Sequence, residues 1–150
     1  MAVSYEKISY DKIEKGLKDK INVDFANVYV SPIFKMIGNE CVRVNLTQSE
    51  LVEQHRNFSE REYNVTVRYY TKADMSNEHT NKGVKRRIDM LHKLLLDNQY
   101  NTTGTDGANN KWLSLMIDTI SYGIEDNEQD ENQQLYIAEF LLTLTNTNQF

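Results

Sequence analysis

The sequence predicts an α+β fold: a four- to five-stranded, mainly antiparallel sheet with two main helices packed on one face. Three observations carry that expectation. Residues 61–70, REYNVTVRYY, alternate at period two, with Tyr63, Val65, Val67 and Tyr69 on one face and Asn64, Thr66, Arg68 and Tyr70 on the other. Residues 81–98, NKGVKRRIDMLHKLLLDN, place Val84, Ile88, Leu91 and Leu95 at spacings of four, three and four, a helical stripe. The order of segments is helix, strand, strand, strand, helix, strand, strand. Strands joined by loops favour antiparallel pairing, and two helices suffice to cover one face of such a sheet.

The elements follow in chain order. Between Tyr5 and Ile21, apolar residues at Tyr10, Ile13, Leu17 and Ile21 form one stripe with Lys and Glu opposite, an amphipathic helix that Gly16 weakens. FANVYVSP (25–32) alternates and stops at Pro32, the sole proline, as a short strand leading into a loop does. NECVRVNL (39–46) alternates again, with Val42, Val44 and Leu46 on one face. TQSELVEQHRNFSE (47–60) is polar without a clear period and reads as a long connection or partly helical excursion. YNTTGTDGANN (100–110) reads as a mobile loop. KWLSLMIDTISYGIED (111–126) and QLYIAEFLLTLTN (134–146) read as two closing strands joined by an acidic turn. The last is apolar on both faces for much of its length, which places it centrally in the sheet or beneath a partner.

A chain of 150 residues with 39% apolar composition can bury one sizeable core, so residues 1–150 are expected to form a single domain. The net charge of -5 excludes a protein that holds nucleic acid by blanket phosphate neutralisation. Cys41 is the only cysteine, so no internal disulfide forms, and its strand-like context suits a small buried thiol rather than a nucleophile. The opening MAVSYEKISYDK has no apolar h-region and no segment reaches transmembrane length, so a soluble protein from a reducing compartment is expected. The Asn-x-Ser/Thr triplets at Asn45, Asn57, Asn64 and Asn101 then carry no glycan.

Signals for chemistry are sparse. His55, His79 and His92 have no metal-site spacing, and there is no GxGxxG, GxxxxGK[ST] or GxSxG. Asp126, Glu128 and Asp130 alternate like the first ligands of a calcium loop. Glu131 and Ile137, however, stand where glycine and a bidentate carboxylate belong, so a solvated hairpin tip is the better reading. No catalytic residue, cofactor or metal is expected. Lys82, Lys85, Arg86 and Arg87 form one basic patch near a helix start, the unfavourable end for the macrodipole, with Asp89 placed to pair with Lys85. Without aromatic platforms beside it, this patch suits a solvated face or subunit salt bridges better than DNA. Arg68 and Tyr70, residue types enriched at interfaces, lie on the sheet face that the helices leave uncovered. Arg68, Tyr70, Lys85, Arg86 and Arg87 are therefore the candidate residues for a subunit or tube interface.

The order of an amphipathic N-terminal helix, VYVSP, VRVNL, a long excursion, REYNVTVRYY, VKRRIDMLHKLLLDN, WLSLMIDTISYGIE and QLYIAEFLLTL resembles the tail terminator, or tail completion, proteins of tailed bacteriophages. The resemblance spans nearly the whole chain and rests on element order, length and texture. It implies a non-enzymatic virion protein of the tail and neck, assembled in the host cytoplasm. Such a subunit forms a hexameric ring, caps the tail tube protein and presents a surface to the head–tail connector proteins, with genomic DNA only as cargo through the channel and no membrane partner. The excursion 47–60 and the loop 100–110 would order on docking. Alternatives from the same sequence are another head–tail neck adaptor, or a divergent small enzyme or nucleic-acid-binding protein.

Overall fold

The computed structural model describes residues 10–54, 56, 58–72, 77–100, 112, 114–126 and 134–149. Among them are two helices and five strands: α1 (Tyr10–Ile21), β1 (Val28–Val30), β2 (Glu40–Gln54), β3 (Phe58–Thr71), α2 (Glu78–Asp97), β4 (Ser114–Asp126) and β5 (Gln134–Gln149). The strands form one mixed, mostly antiparallel sheet in the order β1-β2-β3-β5-β4. The fold is α+β, with the expected succession of elements. His55, the loop 101–110 and the acidic run 127–132 lie outside the described residues.

Each element forms for a local reason. In α1, Ile13, Leu17 and Ile21 share one buried stripe. In α2, Asn77 caps the start by accepting hydrogen bonds from the backbone N–H groups of His79 (3.0 Å) and Thr80 (3.3 Å). Val84, Ile88, Leu91, Leu94 and Leu95 then turn toward the sheet. Both helices pack on one face, which presents Val42, Val44 and Leu46 of β2, Val65, Val67 and Tyr69 of β3, and Phe140, Leu142 and Leu144 of β5 to a single core. β5 lies between β3 and β4, which accounts for its apolar residues on both faces.

Two features depart from the sequence expectation. The first is the excursion 47–60, of which 47–54 and 58–60 are strand: β2 runs to Gln54 and β3 starts at Phe58, with register shifts between Leu46 and Gln48 and between Leu51 and Glu53. No period was legible there because this hairpin extends past the helices. From Thr47 to Gln54 only Ser49 is even partly buried, so neither face needs apolar residues.

The second is that β1 pairs with β2 in parallel, Val28 beside Val42 and Val30 beside Val44, rather than as a hairpin. A parallel pair needs a crossover, and residues 31–39 supply it across the sheet face opposite the helices. There Phe34, Met36 and Ile37 close a second cluster over Cys41, Tyr70, Leu135 and Ile137. The crossover ends at Gly38, whose φ of 64° is left-handed, and where an added Cβ would stand 2.8 Å from the Asn27 side-chain nitrogen. That nitrogen donates to the Glu40 carbonyl, so the close approach belongs to the strand entry itself.

Candidate interface surfaces

The candidate residues fall on two surfaces. Arg68 and Tyr70 lie on the face opposite the helices, which we term the outer face. Lys85, Arg86 and Arg87 lie on α2, on the other side of the sheet.

On the outer face a polar chain crosses from β2 to β5. The buried guanidinium of Arg43 donates from Nε to the Tyr70 hydroxyl at 3.2 Å, and from Nη1 to the carbonyls of Ser31 (3.2 Å) and Pro32 (3.1 Å). Arg68 pairs with Glu139, its direct cross-strand neighbour. Burial lowers the Arg68 pKa, but hydrogen bonding to Tyr70 and Glu139 more than offsets this, and the group is held firmly cationic. Tyr70 itself is enclosed, its ring 4.4 Å from that of Phe34, so the crossover loop has already covered this part of the face. The open part lies farther along, where Met116 (62% exposed) and Leu141 (38%) stand beside the Thr143 hydroxyl, which donates to Asp118 at 2.6 Å.

The α2 surface divides as well. Arg87 is committed within the fold. It reaches Glu40 through Nη2 (2.6 Å) and Nε (3.1 Å), donates to the Asp24 carbonyl (3.2 Å), and lies over the Phe25 ring with 4.2 Å to its centroid. This ties the helix to the entry of β2 and to the α1–β1 connection. Lys82, Lys85 and Arg86 are exposed. Two clefts run between α2 and the sheet: one of about 670 Å³ lined by His92, Leu96, Tyr100 and residues 114–120, and one of about 370 Å³ lined by Lys85, Ile88, Asp89, Tyr122 and Tyr136. Along them β4 is an edge strand. The opposite edge is partly blunted, since beyond β1 the Glu14 carboxylate accepts the Leu46 N–H at 3.1 Å.

Glu40 also accepts the Tyr69 hydroxyl at 2.5 Å. Burial pushes the Glu40 carboxyl up, but the hydrogen bonds from Arg87 and Tyr69 and the Arg87 charge outweigh it and hold the group below its ordinary value of 4.5. Burial and the same bond to Glu40 push the Tyr69 phenol far up, so it stays a donor. A carboxyl depressed on folding contributes stability that is complete above its unfolded value and is lost as the pH falls through its folded value. Urea midpoints measured from pH 7 to 3 should therefore decline below about 4.5, and Glu40→Gln should decline less steeply over that interval. Parallel curves for the two proteins would remove this role from Glu40.

Cys41 is buried, and burial pushes its thiol up, as suits a packed side chain. His79 is exposed, and the partly buried His92 lies against the Phe140 ring at 6.2 Å. Among the described residues no group of three or more His, Cys, Asp or Glu could hold a metal ion, and no helix is long and apolar enough to cross a membrane.

Sequence reasoning missed Arg43, Glu40 and Glu139 as structural partners. Arg43 stands on the outer-face parity of VRV, which was a signal, but Glu139 within YIAEFLL meets Arg68 only through a strand register that no local pattern encodes. No protein-family model and no curated protein matches this sequence.

Proposed function

We propose that this chain is a structural subunit of a tailed-phage virion, of the tail terminator kind, which closes a ring of six copies on the end of the tail tube and presents a surface to the head connector. The observation that carries the reading is the half-covered sheet. Helices cover one face, the crossover covers only part of the other, and β4 stays an open edge flanked by exposed Met116, Tyr122 and Ile124. A layer of this kind completes its burial against a neighbour. Repetition of one heterologous contact closes a ring when its rotation returns to the start. The net charge of -5 suits a channel that DNA traverses without sticking.

The test is direct. Six 17.5-kDa copies give a particle of about 105 kDa, expected by light scattering and as a six-fold ring in negative stain, alone or on assembled tail tubes, whose growth it should arrest. A protein that stays monomeric and unbound when mixed with tubes ends this reading.

A further inference from the structure

The two edges of the sheet are finished differently. At one, β1 is three residues long, and the chain itself takes up backbone groups of β2 beside and past it: the Ser31 N–H donates to the Val44 carbonyl at 3.2 Å, and Glu14 accepts the Leu46 N–H. At the other, β4 runs for 13 residues, and among the described residues no strand lies beyond it. An edge strand is ordinarily protected by Lys, Pro, a bulge or brevity. SLMIDTISYGIED contains no Lys, Arg or Pro. Its register shift lies between Ile117 and Thr119, and from Thr119 to Asp126 the pairing with β5 is regular. Residues 121–125 are exposed in succession, and a Cβ added at Gly123 would meet nothing within 4 Å.

The two sides of that strand define the chemistry of an occupant. Cross-strand partners share a face. Ile120, Tyr122 and Ile124 lie opposite Phe140, Ala138 and Tyr136 and so stand on the helix side, where Tyr122 and Ile124 are each 58% exposed. Tyr122 lines the cleft of about 370 Å³ with Ile88 and Tyr136, and the α2 residues at that cleft bear one charge of each sign, Lys85 and Asp89. This side therefore suits apolar side chains and selects no net charge. On the outer side β4 presents Ser121, Gly123 and Glu125, with Asp118 at the register shift accepting the Thr143 hydroxyl. Asp118 and Glu125 are both exposed, and β4 has no cation to offset them. An added strand is favoured when its outer side carries Lys or Arg. A second copy does not supply one: its β4 brings the same carboxylates, its β1 is too short to span them, and its β2 past Leu46 has Glu50 and Glu53 but no Lys or Arg.

We propose that the β4 edge binds, by strand addition along residues 119–125, an extended segment of a partner protein in which apolar side chains alternate with polar ones that include cations. The apolar side chains lie beside Tyr122 and Ile124, the cations face Asp118 and Glu125, and the backbone groups of β4 supply the hydrogen bonds. The inference rests on the reading above that the open layer meets a neighbour, and names that neighbour's chemistry.

The probe is a fluorescein-labelled peptide with capped ends, Lys-Val-Thr-Val-Thr-Val-Lys, titrated with the full chain and read by anisotropy. Saturable binding with a Kd below about 1 mM is expected. An added strand bonds to the edge through every second residue, so N-methylation of one alternate set of peptide amides should abolish binding and of the other set should not. Glu125→Lys, with far-UV circular dichroism as the check on folding, should weaken the lysine peptide about fivefold or more and strengthen Glu-Val-Thr-Val-Thr-Val-Glu by a similar factor. Amide exchange of residues 119–125 should slow when the lysine peptide is bound.

No saturable binding, both N-methylated peptides binding alike, or affinities that Glu125→Lys leaves unchanged would each overturn the proposal. Wild-type self-association that the peptide dissolves would also overturn it, by making a second copy the occupant. Six-fold rings or tube binding by a chain that takes no peptide would remove strand addition and leave the terminator reading standing. Peptide binding by a chain that neither forms rings nor binds tubes would do the reverse.

Discussion

Replacing Trp112 with alanine is expected to lower stability by about 3–5 kcal/mol, moving the urea midpoint down by about 2 M. Trp112 is fully buried and packs in the main core, and it is the only tryptophan. Its indole N–H also donates to the carbonyl of Asn98 at 2.8 Å. Asn98 is the residue that ends α2: its backbone N–H turns back to Leu95, and its side-chain amide donates to the Leu94 carbonyl at 2.8 Å. A single ring thus fills the core and fastens the end of α2 next to the start of β4.

The two roles separate by substitution. Trp112→Phe keeps most of the apolar volume and loses the donor, so it should cost about 1–2 kcal/mol, the cost of a part-buried carbonyl losing its partner. Unfolding followed by far-UV circular dichroism reads both variants, since tryptophan fluorescence is lost. A Trp112→Ala midpoint within about 0.3 M of the wild type would show that the ring is not a core element.

The second large effect is expected at Arg43. Arg43→Met retains an apolar stem of similar length but removes the donors to Ser31, Pro32 and Tyr70. Two part-buried carbonyls then lose this donor and the Tyr70 hydroxyl keeps only its bond with Arg68, at a cost of about 1–3 kcal/mol. The loss has a local readout. Residues 31–39 are fastened over the outer face by these bonds and by Phe34, Met36 and Ile37 packing on Tyr70 and Cys41. The Lys35 N–H donating to the Tyr29 hydroxyl at 2.9 Å adds a further tie.

When the crossover opens, Cys41 is uncovered. Its labelling by a thiol-reactive reagent in native buffer should therefore accelerate by about 30-fold for each 2 kcal/mol lost locally. Unchanged labelling with lower global stability would place the effect elsewhere in the fold. The same variant bears on assembly, because an opened crossover exposes more of the outer face around Arg68 and Glu139.

Much of this architecture was legible in the sequence because periodicity is local. Tyr63, Val65, Val67 and Tyr69 face the core as their alternation requires, and Val84, Ile88, Leu91 and Leu95 as their helical spacing requires. The excursion 47–60 was illegible for the same reason. Residues 47–54 are solvated on both faces and so have no pattern to read, and the returning strand is held by β5, which extends beside β3 as far as Gln149. Among the interface candidates, sequence parity put Arg68 and Tyr70 on one face correctly. It could not show that Phe34 would enclose Tyr70, or that Arg87, unlike its neighbours Lys85 and Arg86, would be drawn into Glu40 and Phe25.

The sequence by itself determined the succession of helices and strands, the residues that face the core, and an acidic chain without a recognisable reactive constellation. Each of these depends on residues within a few positions of one another. The tertiary structure alone decided the parallel pairing of β1 with β2, the insertion of β5 between β3 and β4, and the crossover that covers part of the outer face. It also decided the register that stacks glutamate on glutamate at the hairpin tip. These features pair residues tens of positions apart, and such pairings are set by competition among all the burial arrangements open to the chain, which no short window of sequence contains.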